Sequence, residues 1–193
     1  MQVSLLYTGF KLLTKLALVL GLTGLALRCL ARMLAVRPGD AYALASRALV
    51  QTQQGQQAAA LRTLEELVNL HREDAPAWFN LAYLREAKGL HAEAEAAFRS
   101  ALALDPAMDQ AWYGLALVLI QARRFDEAVL ALGHNTRLQP LSPFGWYLLG
   151  RVHADRQDPE AAARVLAHLR GFEPRVAAQL ERELQLKAAR AAV

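Results

Sequence analysis

Apolar residues recur along this chain at the three- and four-residue intervals of an α-helix, with short polar breaks between the stripes. Two consecutive stripes in the clearest stretch are Trp78, Leu81, Ala82 and then Ala94, Phe98, Ala101. They predict helices over about 77–88 and 91–104. Gly89 lies between these helices, and Pro106 ends the second because proline cannot continue a helix. The pattern therefore predicts helical hairpins and an all-α protein.

The pattern repeats every 34 residues. All three tryptophans and three of the seven prolines keep this step: Trp78, Trp112, Trp146, Pro106, Pro140 and Pro174. An alanine followed four residues later by a large apolar residue keeps it too, at Ala60/Leu64, Ala94/Phe98, Ala128/Leu132 and Ala162/Leu166. A fixed period of this length is typical of stacked repeats, in which neighbouring hairpins bury each other's apolar faces.

These residues resemble the signature of the tetratricopeptide repeat (TPR) family, in which W-x2-L-G-x2-Y is followed by A-x3-F and then by proline. The tyrosine position departs from the signature, since it holds Arg85, Leu119 and His153. The resemblance implies an all-α TPR right-handed superhelix with a concave face lined by the first helix of each unit. We predict four units over 41–74, 75–108, 109–142 and 143–176, and a capping helix over 177–193.

Residues 1–40 carry two overlapping patterns. The uncharged run 16–27 extends to 10–27 if two lysines reach one membrane interface, which approaches the roughly 20 residues of a membrane span. Ala26, Leu30 and Pro38 keep the repeat register. We therefore predict a membrane-associated helix over 1–27 that continues into a half-repeat over 24–40. The residues predicted at the membrane interface are Lys11, Lys15, Arg28 and Arg32. An interfacial helix and a helix buried against protein are the alternatives.

The charge of the chain is concentrated in that segment. Residues 1–40 hold five basic residues and one acidic residue, whereas the rest of the chain is balanced, so this segment accounts for the net charge of +4. A nucleic-acid-binding protein would carry its basic surplus on the folded body. The basic flanks favour an anionic bilayer, and the sequence predicts a bacterial inner-membrane anchor. The positive-inside rule favours a cytoplasmic repeat domain over a periplasmic one.

Few residues offer catalytic or metal chemistry. Cys29 is the single cysteine, and the five histidines lie far apart, which is unlike the spacing of zinc ligands. Neighbouring acids such as Glu65-Glu66 and Asp126-Glu127 fall on solvated helix faces. We therefore expect no enzyme activity, no cofactor and no small-molecule substrate.

The TPR resemblance places the groove residues on the first helix of each unit. Carried over to this sequence, the candidates for partner binding are Tyr42, Phe79, Asn80, Tyr83, Gln110, Tyr113, Gln121, Phe144, Tyr147 and Arg151, with Leu49 beside them. Phe79, Tyr113 and Tyr147 keep the 34-residue step. Aromatic and amide side chains suit an apolar helix or an extended peptide. The other interpretation is that these rings pack between neighbouring helices.

Two functions fit this sequence. The first is a membrane-anchored interaction scaffold that binds and positions a partner protein, as an assembly factor or adaptor for a membrane-associated complex. The alternative is a permanent accessory subunit of a membrane protein complex. Both predict one or more protein partners, which we expect to be membrane-associated, and neither predicts nucleic acid.

Overall fold

The computed structural model describes the backbone of residues 2–191 and the side chains of residues 6–185. Within that range the chain forms eleven α-helices and no strand. The helices are α1 Gln2–Val19, α2 Thr23–Val36, α3 Ala41–Gln53, α4 Gln57–Leu70, α5 Ala75–Ala87, α6 His91–Leu104, α7 Asp109–Gln121, α8 Phe125–Leu138, α9 Pro143–Asp155, α10 Pro159–Phe172 and α11 Pro174–Ala191. The all-α expectation is confirmed.

The helices form two compact units, Met1–Lys88 and Gly89–Val193. In the first unit α1 pairs with α2 and α3 pairs with α4, while α3 packs on α2 and α5 packs on α4. In the second unit α7 pairs with α8 and α9 pairs with α10. There α6 packs on α7, and α11 packs on both α9 and α10. Each helix thus buries its apolar stripe against its neighbours along the chain.

The alanine and the large apolar residue four positions later lie at the centre of every second helix. All five pairs are at most 9% exposed, namely Ala26/Leu30, Ala60/Leu64, Ala94/Phe98, Ala128/Leu132 and Ala162/Leu166. The alanine lets the facing helix approach, and the larger side chain fills the space beside it. Burying one such leucine or phenylalanine contributes about 1.5–3 kcal/mol. These pairs account for the period seen in the sequence.

A recurring hydrogen bond explains why tryptophan and proline recur with the same 34-residue period. The indole Nε1 of Trp78 donates to the carbonyl of Arg72 at 2.9 Å. Trp112 and Trp146 donate in the same way to the carbonyls of Pro106 and Pro140, each at 2.9 Å. Each tryptophan therefore ties its helix to the loop that precedes it, and satisfies its own N–H while its ring is half-buried.

The turns that follow α1, α3, α5, α7 and α9 also recur every 34 residues. One residue in each turn has a positive φ of 58–74°, and the series is Gly21, Gly55, Gly89, Arg123 and Gln157. In four of them the next N–H donates to the carbonyl five residues back, as Leu22 does to Ala17 at 2.8 Å. This is the Schellman motif that ends a helix. Glycine adopts the left-handed conformation without steric cost, so Gly21 marks a helix end.

The N-terminal segment is therefore a complete hairpin, and the predicted half-repeat that continues a single helix is wrong. The chain turns at Gly21, and α1 folds back on α2. Tyr7 joins the cluster of Leu30, Met33 and Ala43, with Phe10 packed against it. Further along the helix, Thr14 is fully buried and donates to the carbonyl of Phe10 at 2.8 Å. One face of α1, which includes Tyr7, Thr14 and Ala17, is buried against the rest of the first unit.

The predicted membrane helix over 1–27 and the predicted inner-membrane localisation are contradicted by the structure. Among residues 2–191, no helix combines the length and the apolar character needed to cross a bilayer. The apolar run is divided by the turn at Gly21, and the helix before it has 18 residues that include Lys11 and Lys15. The sequence prediction had joined two short helices into one long one.

Tyr7 connects α1 to the start of α3. Its hydroxyl donates to Asp40 Oδ2, while Asp40 Oδ1 accepts the N–H of Ala43 at 2.8 Å and so caps α3. The guanidinium of Arg37 lies 4.2 Å from the centre of the Tyr7 ring. Burial, and then the hydrogen bond to Asp40, raise the pKa of Tyr7 to about 12. The protonated phenol is the form that stabilises the fold.

Substitutions at Gly21 and Gly9 test whether the segment turns at Gly21 or continues as one helix. Gly21→Ala should lower the free energy of unfolding by about 1 kcal/mol, because alanine is strained at positive φ. Gly9→Ala should raise it by about 0.5–1 kcal/mol, because Gly9 lies within α1 and a Cβ there meets nothing within 4 Å. Urea unfolding followed by circular dichroism measures both. If both variants were more stable, the turn at Gly21 would be wrong.

Tyr7→Phe tests the link between α1 and α3. Removing the hydroxyl should lower the free energy of unfolding at pH 7 by about 1–2 kcal/mol, since a hydrogen bond to a carboxylate is lost. In the wild type this contribution is fully present below pH 10 and is lost as the pH rises through about 12, because folding raises the pKa of the phenol. Unfolding curves from pH 8 to 12 should therefore converge. Parallel curves would contradict the assignment.

Candidate partner-binding face

The candidate residues lie on α3, α5, α7 and α9, and the two units are considered separately. Tyr42 is on α3, and Phe79, Asn80 and Tyr83 are on α5, all in the first unit. The candidates of the second unit are Gln110, Tyr113 and Gln121 on α7, and Phe144, Tyr147 and Arg151 on α9. The predicted alignment of Phe79 with Tyr113 and Tyr147 joins residues of different units and stays a prediction.

A small cleft of about 160 Å³ lies between α3 and α5. Its lining residues are Ala45, Ala48, Leu49, Thr52, Leu64, Asn80, Tyr83 and Leu84. Leu49 and Tyr83 are 53% and 58% exposed, so two large apolar surfaces face solvent at its rim. Asn80 adds an exposed amide that can bond a peptide backbone. The structure therefore brings two predicted residues, Asn80 and Tyr83, into one concave site.

Phe79 and Tyr42 lie on the same two helices as the cleft, Phe79 on α5 and Tyr42 on α3. The ring of Phe79 is half-buried and stacks on Tyr83 at a centroid distance of 6.5 Å. Tyr42 is also half-buried and packs beside the cluster of Tyr7, Leu30 and Met33. Both rings thus combine packing with partial exposure.

Lys11 was missed as a member of this face. Its ammonium group lies 4.9 Å from the centre of the Tyr42 ring, a cation–π contact. Lys11 is also two repeat steps before Phe79, and Lys15 is one step before Leu49. The register could have identified both lysines, but the membrane interpretation of 1–27 assigned them elsewhere. Lys15, Arg28 and Arg32, predicted with Lys11 at a membrane interface, are exposed on α1 and α2.

In the second unit, Tyr147 and Arg151 are held by α11. The Tyr147 hydroxyl donates to Glu183 Oε1 at 2.5 Å and accepts from Gln179 Nε2 at 3.2 Å. Arg151 lies 5.7 Å from the Tyr147 ring and 3.6 Å from Glu183 Oε2. Burial, and then the bond to Glu183, raise the pKa of Tyr147. These two groove candidates contribute to the docking of the last helix.

The other candidates of this unit differ in exposure. Phe144 is 69% exposed near the start of α9, and Gln110 and Gln121 are exposed near the two ends of α7. Tyr113 is half-buried, and burial raises its pKa. Phe144 is therefore the most accessible aromatic candidate of the second unit.

Two carboxylates of the second unit, Glu95 and Glu127, are paired with arginine. Arg124 bonds both oxygens of Glu127 and one oxygen of Glu95 at 2.7 Å, and Arg99 joins the same two acids at 3.0 Å. The hydrogen bond from Arg124 lowers the pKa of Glu127. The ionised Glu127 on α8 and its neighbour Arg124 therefore link α8 to Arg99 and Glu95 on α6. Among the described residues, no group of three or more histidine, cysteine, aspartate or glutamate side chains could hold a metal ion.

The fold and these faces define a class of protein built from stacked helical hairpins. One family model for the tetratricopeptide repeat matches residues 52–109 and 113–174, and a second one matches residues 85–135. This chain belongs to the tetratricopeptide repeat family. Repeats of this family are protein-interaction scaffolds, in agreement with the predicted class.

Solved structures agree with this fold. The chain is similar to a MamA protein, with a TM-score of 0.81 and 19% identity over 88% of this chain and 92% of that chain. It is similar to YrrB, described as a TPR protein with an unusual peptide-binding site, with a TM-score of 0.78 and 17% identity over 88% of each chain. A tetratricopeptide repeat protein from Parabacteroides merdae gives 0.83 and 17% over 97% and 75%. Among curated proteins, none matches this chain in sequence.

Tyr147→Phe tests the docking of α11. The ring is kept but the bond to Glu183 is lost, so opening of α11 should become easier by about 1 kcal/mol. Hydrogen exchange of the α11 amides should then accelerate about fivefold, while the exchange of α7 stays unchanged. Gln185→Ala, at an exposed position of α11, is the matched control. Equal exchange in the two variants would show that the Tyr147–Glu183 hydrogen bond does not hold the helix.

Proposed function

We propose that this protein is an interaction scaffold that binds a segment of a partner protein on the α3–α5 face of its first unit. The observation that carries the proposal is the cleft in which Asn80 and Tyr83 meet Leu49. Solvent-exposed apolar rims around a concave site are typical of protein contact surfaces. A role as an adaptor that positions its partner follows from this kind of binding.

The chemistry of the face defines the segment that fits it. Tyr83 and Leu49 offer apolar contact area, and Tyr83 loses little conformational freedom on binding because it has only two side-chain torsions. Asn80 can both donate to and accept from a peptide backbone. Lys11, over Tyr42, adds a positive charge on the same side. The partner segment is therefore apolar at its centre and carries an acidic residue on the side that meets α1.

The family and the solved structures support this proposal. Tetratricopeptide repeats form interaction scaffolds, and YrrB shares this fold and has a peptide-binding site. In the second unit, Phe144 is an exposed aromatic side chain, whereas Tyr147 and Arg151 already contact α11. The first unit is therefore the favoured location of the site.

Peptides selected from a displayed random library against the full chain provide the test. Tyr83→Ala should weaken binding of the selected peptides at least tenfold, because a buried aromatic anchor contributes about 2 kcal/mol or more. Asn80→Ala should weaken it by about fivefold. Binding is measured by fluorescence anisotropy of labelled peptides.

Two controls make the result specific to this face. Leu130→Ala removes a 68% exposed leucine from α8, outside the cleft, and should leave affinity unchanged. Phe144→Ala removes the exposed aromatic side chain of the second unit. If Phe144→Ala abolished binding while Tyr83→Ala did not, the site on the first unit would be wrong.

A further inference from the structure

The outer face of α1 exposes a continuous apolar surface. Its members are Leu6, Leu12, Leu13, Leu16 and Val19 of α1 and Leu20 directly after the helix, all of them exposed. They lie opposite Tyr7, Thr14 and Ala17, which are buried against the rest of the first unit. No charged residue interrupts the face, while Lys15 lies at its edge. We call these six residues the α1 outer face.

The repeat register shows what kind of element covers such a face. Leu16 is 53% exposed, but the residues at the same repeat position of α3, α5, α7 and α9 are at most 3% exposed. Those residues are Val50, Leu84, Val118 and Val152. Leu84, for example, packs in one cluster with Leu64, Leu67 and Val68 of α4, the helix that precedes α5. The α1 outer face is therefore a surface for stacking another helix.

The charges at this end of the unit define the covering helix more closely. Residues 1–39 contain five basic residues and no acid. Where α4 stacks on α5, Glu65 of the covering helix bonds Arg85 of the covered helix at 3.1 Å. A second copy of α1 would bring lysine against lysine. A helix with an apolar stripe and an acidic edge would instead match both the leucines and Lys15.

We propose that the α1 outer face is a second docking surface, which binds an amphipathic helix of another protein through an apolar stripe and an acidic edge. It is separate from the α3–α5 cleft, so a partner there and a partner in the cleft can be bound at the same time. The occupied state extends the stack of the first unit by one helix.

The test uses the full chain and a synthetic helix of known stacking chemistry. The probe is a hydrocarbon-stapled, labelled peptide of residues 57–70, which carries the apolar stripe of α4 and Glu65 and Glu66. Its matched control is the same peptide with both glutamates replaced by lysine. Fluorescence anisotropy should show at least fivefold tighter binding of the acidic peptide at low salt. Equal affinities of the two peptides would overturn the proposal.

Variants of the chain locate the site. Leu16→Asn should weaken binding of the acidic peptide at least tenfold, whereas Leu130→Asn, a matched exposed leucine on α8, should not. Lys15→Glu should reverse the preference between the two peptides. Thermal melting within a few degrees of the wild type shows that the variants are folded, as expected for exposed positions. Unchanged binding by Leu16→Asn would overturn the proposal.

Two further outcomes distinguish other occupants of the face. If light scattering showed that the wild type is a dimer and that Leu16→Asn is a monomer, a second copy of the chain would cover the face. Co-sedimentation with phosphatidylglycerol vesicles that is lost in Leu16→Asn would assign the face to a lipid surface. Either result overturns the proposal, whereas a monomer that leaves the vesicles unbound and binds the acidic peptide supports it. Tyr83→Ala should not change that binding, which separates this surface from the cleft.

Discussion

The structure depends on one constraint, which is that no hairpin of this chain can bury its apolar stripe alone. Val50 is fully buried because Ala17 and Ala26 of the preceding hairpin pack in one cluster with it. Stability in such an array is shared between neighbours, so a helix face without a neighbour leaves its apolar residues exposed. In the first unit, α1 exposes leucines on the face opposite its buried residues. In the second unit, α11 is held by polar contacts to Tyr147 and Arg151 as well as by buried Ala177 and Leu180.

Much of the fold could be predicted because each repeated residue has one physical role. Tryptophan and proline share a step since the indole bonds the loop carbonyl, and the alanine pairs share it since they form the core of the second helices. The first hairpin was missed because its signature residues are replaced: Phe10 has the tryptophan position and Thr14 the small one. Gly21 kept the register 34 residues before Gly55, but the apolar run around it dominated the interpretation.

The candidate site was less predictable, because a register position specifies a helix face and does not specify which contacts the side chain makes there. Asn80 and Tyr83 line a cleft, whereas Tyr147, at the register position of Phe79, is engaged by Glu183. That difference comes from a residue of α11, 36 positions further along the chain, which no local pattern identifies. Lys11 shows the reverse case, in which the register was informative and composition was misleading.

The indole-to-loop contact has a consequence for how this protein can be observed. Each of the three tryptophans occupies the equivalent position in a different repeat and makes the same hydrogen bond. Two of them also contact a histidine ring at a centroid distance of 4.1 Å, in the pairs Trp112–His134 and Trp146–His168. The chain therefore contains three intrinsic fluorophores that share the same indole hydrogen bond. Versions that keep a single tryptophan would report the melting of one repeat at a time, so that the cooperativity between neighbouring repeats could be measured without an added label.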